Sequence, residues 1–81
     1  LGKGMGDLTE RLKEGRPVIA GVAETGTAEA ARHAMVVERL ETVNGTAGVV
    51  YWDPRGTYRW QPTATFEKFF NAAGGVFVWP L

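Results

Sequence analysis

The side chains with the clearest chemical potential are His33, the single histidine of the chain, and Asp53. His33 opens the apolar run His33-Ala34-Met35-Val36-Val37, and Asp53 closes a second apolar run at Asp53-Pro54-Arg55-Gly56. An imidazole serves as general base when a carboxylate at hydrogen-bonding distance fixes its tautomer and orientation. A histidine at the head of one strand and an acid at the tail of the next is the order that a nucleophile-histidine-acid hydrolase needs in its second half. The third member would be a cysteine, and the chain has none. Taken alone, a histidine at a strand start and an Asp-Pro turn are also ordinary structural residues.

The elements that would position this pair follow from periodicity and punctuation. His33 to Val43 is the clearest strand, because β-branched Val36, Val37, Thr42 and Val43 dominate and Leu40 sits between charged Arg39 and Glu41. Asn44-Gly45 signals a hairpin, with Thr46 and Ala47 lengthening the loop beyond the tightest type, and Gly48 to Trp52 is the returning strand. An antiparallel hairpin of this order brings its two outer ends together, so His33 and Asp53 become neighbours at its open end. Pro54 stops the second strand, and Tyr58-Arg59-Trp60 reads as a short edge strand before Pro62.

The flanks supply the rest. Gly2, Gly4 and Gly6 match no nucleotide fingerprint and read as a linker or strand-to-helix turn. Asp7 as N-cap and Glu10 as its capping-box partner predict a helix from about Leu8 to Glu14, ended by Gly15 and Pro17. Arg16 to Val22 reads as a central strand, being nearly continuously apolar. Ala23 to Arg32 is too polar for a core strand and reads as a loop. Thr63 or Thr65 is expected to cap a helix to about Asn71 with Phe66, Phe69 and Phe70 on one face. Val76 to Trp79 is a last strand, closed by Pro80. The fold class is therefore α+β, a twisted antiparallel sheet of about four strands packed with two short helices.

Composition bounds the function. The chain has 81 residues, so it is expected to be a single domain, 1–81, near the lower size limit for a self-sufficient core. Three Trp, four Phe and two Tyr argue for a packed core over disorder. Nine basic and nine acidic residues balance, and no long run of like charge occurs, so no nucleic-acid partner is expected. No apolar stretch is long enough for a membrane segment. One histidine and scattered carboxylates give no metal-ligand spacing, and neither a metal nor a cofactor is implied. Thr25, Thr27 and Thr57 are other hydroxyl candidates, but nothing in their spacing activates a threonine. A nuclease pairing His33 with Arg55 is a weaker alternative on the same residues, since neutral charge disfavours tight polynucleotide binding. Tyr58 and Trp60 are candidates to line a substrate groove, against a default role in packing. Arg55 is expected to pair with Asp53 in preference to clamping a substrate carboxylate.

From His33 onward the chain resembles the second half of papain-like cysteine peptidases, closest to the bacterial double-glycine-leader (bacteriocin-processing) peptidase-like group. The resembling features are Gly15-Arg16-Pro17-Val18-Ile19 leading into a strand, the His33-Ala34-Met35-Val36-Val37 run, the hairpin, and Asp53-Pro54-Arg55-Gly56. A helix over Thr63 to Phe70 and a final apolar strand complete the likeness, which spans about Leu8 to Trp79. The resemblance implies the papain-like β-half, with His33 as the base that activates a thiolate and Asp53 as its orienting acid. It implies a peptide or protein substrate and a cysteine before Leu1, in an N-terminal half of a larger catalytic domain. A start without Met fits that expectation. A papain-fold bacterial toxin or effector, acting as a protease or glutamine deamidase in the cytoplasm or after secretion, would carry the same residues. So would a catalytically inactive, peptide-binding relative.

Overall fold

Apolar residues run along five strand-length segments, continuous in two of them, and recur at helical spacing along two others, and the chain folds accordingly. The computed structural model describes residues 1–23, 26 and 31–79. The elements are β1 (Gly2–Lys3), α1 (Met5–Lys13), β2 (Val18–Ala23), β3 (Arg32–Val43), β4 (Thr46–Asp53), β5 (Thr57–Pro62), α2 (Thr63–Ala72) and β6 (Val76–Val78). They form an α+β structure around one six-stranded sheet of order β1-β6-β2-β3-β4-β5, all neighbours antiparallel.

Both helices cover the same face of the sheet. Leu8 and Leu12 of α1 and Phe66 and Phe70 of α2 are buried against Val18, Ala20 and Val22 of β2, Val37, Val49 and Phe77. These positions alternate along their strands, so one face of a half-buried sheet carries the core. Val76 and Val78 flank Phe77 and stay exposed on the other face.

The sheet has six strands where about four are expected: the short edge segment at Tyr58-Arg59-Trp60 is a full strand, β5, and β1 adds an edge that is invisible in the composition. Gly2 pairs with Phe77, and its missing side chain is what the pairing requires. A Cβ at Gly2 would lie 2.0 Å from the Phe77 ring, so only glycine lets that buried ring lie on the β1 backbone. Of the three glycines at the start, Gly4 makes the expected strand-to-helix turn, with Gly2 in β1 and Gly6 in α1.

Helix ends differ from expectation at the N-termini and agree at the C-termini. α1 starts at Met5 with Gly4 as cap, at φ 88°, and no side chain caps it. The Gly4 N–H donates to the Gly75 carbonyl at 2.7 Å, which fixes the entry of the chain before Asp7 is reached. Asp7 lies within the first turn, where its carboxylate accepts from the Lys3 N–H at 3.3 Å and complements the helix dipole. α2 likewise uses neither Thr63 nor Thr65 as cap. β5 runs directly into it through Pro62, whose fixed φ of −57° with ψ 143° makes the extended half-turn. Both helices end in Schellman motifs. Arg16 N–H donates to the Arg11 carbonyl around Gly15, and Gly75 N–H to the Phe70 carbonyl around Gly74.

The β3–β4 hairpin is tighter than expected. Val43 pairs with Thr46, so Asn44 (φ 49°) and Gly45 (φ 80°) alone make the turn, both in the left-handed region that a two-residue type I′ loop needs. Between Val37 and Arg39 the register shifts by one residue, a β-bulge at Glu38. The bulge has a cause in the sequence. Val37 faces Tyr51 and Leu40 faces Val49, and two apolar residues an odd number of positions apart share a face only if an extra residue intervenes. β2 lies between β6 and β3, the central place expected for it. The expected loop from Ala23 to Arg32 loses both end residues to strands, and Thr25 and Thr27 lie outside the described residues. Among the described residues no helix is long and apolar enough to cross a membrane.

Candidate functional site

The open end of the β3–β4 hairpin holds a cavity of about 610 Å³ lined by His33, Ala34, Met35, Tyr51, Asp53, Pro54, Arg55 and Arg59. Register explains how these residues meet. Val37 opposes Tyr51, and His33 and Met35 precede Val37 at two-residue steps on the same face. Asp53 follows Tyr51 by one such step. Both candidate residues therefore stand on the helix-covered face, beyond the buried core, and line one cavity. On the other side β2 places Val22 opposite His33 and Ala20 opposite Met35, so the histidine strand is held between two neighbours.

Asp53 is held by donors on both oxygens. The backbone N–H of Arg55 donates to Oδ1 at 2.9 Å, and Arg59 Nε donates to Oδ2 at 2.5 Å. The first bond belongs to the turn itself. The Gly56 N–H donates to the Asp53 carbonyl at 2.9 Å, with Pro54 at the position that favours its fixed φ. The Arg55 N–H first, and the Arg59 guanidinium second, hold the Asp53 carboxyl below the usual carboxylate range. Asp53 is thus an anion at neutral pH with a fixed orientation. Each carboxylate oxygen has a second lone pair, so these two bonds leave acceptor capacity toward the cavity.

The side-chain partner of Asp53 is Arg59, not Arg55 as expected. Arg55 contributes its backbone N–H, and the residue is among those that line the cavity. Arg59 opposes Tyr51 and falls on the face of Asp53 because Asp53 pairs with Thr57. That signal exists in the sequence once the Asp-Pro-Arg-Gly segment is taken as the turn, since alternation from Thr57 puts Arg59 on the Asp53 side.

Tyr58 and Trp60 alternate with Arg59 and stand on the opposite, helix-free face. The Tyr58 ring meets Trp52 edge to face at 4.8 Å between centroids. Trp60 Nε1 donates to the Glu41 carbonyl at 2.9 Å, and its indole lies over Gly48. Neither lines the His33 and Asp53 cavity. Thr57 sits at the start of β5 beside the turn, where its hydroxyl donates to the Tyr58 carbonyl at 3.3 Å.

No family model matches the chain, and comparisons with curated proteins and with solved structures find no match either. The site is therefore read from its own chemistry. It combines an imidazole, a carboxylate of lowered proton affinity, two guanidiniums and a phenol around one cleft. Among the described residues no group of histidine and carboxylates has the arrangement to hold a metal ion. The set is suited to moving a proton and to holding an anion.

Proposed function

We propose that the chain is the histidine- and acid-bearing half of a papain-like cysteine hydrolase that cleaves amides. The single observation that supports this most is that His33 and Asp53 line the same cavity on the same face of the sheet. In this reading His33 takes the proton from a cysteine thiol, supplied by a segment before Leu1. The thiolate attacks the amide carbonyl, and the imidazolium returns the proton to the leaving nitrogen. Water then resolves the acyl-enzyme, with His33 acting again as base. Asp53 orients the imidazole and stabilises its charged form, while Arg59 and the Arg55 N–H keep the acid ionised. A peptidase and a glutamine deamidase share these steps and differ only in the amide presented.

The absence of cysteine from the 81 residues favours a second reading, a domain that binds peptides in the same cleft without cleaving them. The experiment that separates the two is hydrolysis of peptide and glutamine substrates by the longer polypeptide with Cys→Ala, His33→Ala and Asp53→Asn variants. The hydrolase reading expects His33→Ala to lose roughly 10²- to 10⁴-fold in rate. Full activity in that variant, or a parent chain without any cysteine, refutes it.

A further inference from the structure

We infer that the cavity selects a peptide carrying a carboxylate, held by the guanidiniums of Arg55 and Arg59. The peptide nature of the ligand rests on the amide-hydrolase reading; its charge rests on the arginines alone. Both residues line the cavity, with Asp53 the only carboxylate among its lining residues. Two fixed cations against one anion leave the cleft positive, even though the whole chain is neutral.

Donor capacity points the same way. Arg59 spends Nε on Asp53, and among the described residues its two terminal nitrogens have no protein partner. The Arg55 guanidinium has none either, since the hydrogen bond of that residue is made by its backbone. A guanidinium is a planar fork whose parallel N–H groups match the two oxygens of a carboxylate. Here two forks belong to residues that line one cavity, and Asp53 already takes the Nε of one. Arg59 is half exposed, at 50%, whereas its partner Asp53 is only 15% exposed, so the open side of the ion pair is the cationic one. An incoming carboxylate meets arginine first. It is placed beside the imidazole without displacing Asp53, because the terminal nitrogens of Arg59 are separate from the Nε that Asp53 uses.

The test is binding of defined peptides to the 81-residue chain, followed by fluorescence anisotropy. The probes are an acetylated, amidated oligoglycine with one central glutamate, its glutamine isostere, an oligoglycine with a free C-terminal carboxylate, and a phosphoserine counterpart. A carboxylate-bearing peptide is expected to bind roughly tenfold tighter than the glutamine isostere, the size of one charge-assisted hydrogen-bond set. Arg55→Gln is expected to remove much of that preference, and Arg55→Gln with Arg59→Gln all of it. Arg55 lies in an exposed turn and bonds to Asp53 through its backbone N–H, so Arg55→Gln keeps that bond while removing the side-chain charge. Preference for the central glutamate assigns the carboxylate to a side chain, and preference for the free terminus assigns it to a chain end. Equal binding of all probes, or a preference untouched by Arg55→Gln, overturns the inference. Tighter binding of phosphoserine than of either carboxylate overturns it in favour of a phosphate site. His33→Ala is expected to keep the preference, so loss of hydrolysis and loss of anion selection fail separately.

Discussion

The helix-covered face and the bare face of the sheet use the same strands for opposite purposes. On the covered face Phe66, Phe70, Phe77, Leu8 and the β2 valines are withdrawn from water, and only at the hairpin's open end does this apolar layer give way to His33 and Asp53. On the bare face Val36, Trp52, Tyr58, Val76 and Val78 keep contact with solvent, held by an aromatic contact, the Trp60 to Glu41 bond and ion pairs of Arg39 with Glu38 and Glu41. Burial supplies most of the stability on the covered face, while on the bare face Val50 and Ala23 are withdrawn from water and local pairing supports the rest. A candidate site at the margin of the buried face gains rigid strands beneath it and water in front of it.

The difference is broken most severely by truncating one aromatic on each face. Phe66→Ala is expected to cost about 3 to 5 kcal/mol, because a fully buried ring leaves a cavity. Trp52→Ala, at a residue 37% exposed, is expected to cost no more than about 1 kcal/mol, the range of a cross-strand pair. Chemical denaturation of both variants checks this, and similar losses would mean that the bare face is covered in solution.

A finer comparison uses the two glycines that lie under aromatic rings. An alanine Cβ at Gly2 would meet Phe77, and one at Gly48 would meet Trp60 at 2.2 Å. Phe77 is 1% exposed and has nowhere to go, so Gly2→Ala is expected to cost about 1 to 3 kcal/mol as overpacking. Trp60 can swing toward solvent and lose its bond to Glu41. Gly48→Ala is expected to lose about 1 kcal/mol there and recover part of it through the better strand propensity of alanine. A larger loss for Gly48→Ala than for Gly2→Ala would reverse the assignment of rigid and yielding faces.

The smallest effects lie in the pH dependence, and the two faces carry opposite limbs. Asp53 has a lowered folded-state pKa, so its contribution is present above the ordinary carboxylate range and fades as pH falls through the folded value. Tyr58 is raised, first by its hydrogen bond to the Glu38 carboxylate, so its contribution is complete below the ordinary tyrosine range and fades as pH rises through the folded value. Asp53→Asn is expected to flatten the acid limb of the unfolding midpoint, and Tyr58→Phe the alkaline limb. Exchange of the two outcomes would contradict the charge assignments.

The legible parts of the fold are those with a dense local signal. Asn44-Gly45 announces its own turn, and Gly15 and Gly74-Gly75 announce helix ends through left-handed positions that only glycine fills cheaply. The Glu38 bulge is not readable from the sequence, because Val37 and Leu40 mark it only once both are known to face one side of the sheet. β1 was not legible, because two residues, one a glycine, carry no periodicity, and the strand exists through a contact with distant Phe77. The N-caps misled because Asp7 and Thr63 have the right chemistry while backbone pairing at Gly75 and the β5 junction had already fixed each start. At the candidate site the hairpin order brings His33 and Asp53 to one end, but strict alternation from the pair of Val43 with Thr46 would set them on opposite faces, and the Glu38 bulge is what puts both on the covered face. Arg59 could not be assigned without the register of β5, and that register also sends Tyr58 and Trp60 to the far face.

The central claim is that Asp53 orients His33, and ¹⁵N NMR of the imidazole tests it in this chain without any nucleophile. The account predicts one dominant neutral tautomer in the native protein and a mixture of tautomers in Asp53→Asn, with the rest of the spectrum preserved. A tautomer ratio that Asp53→Asn leaves unchanged would contradict it.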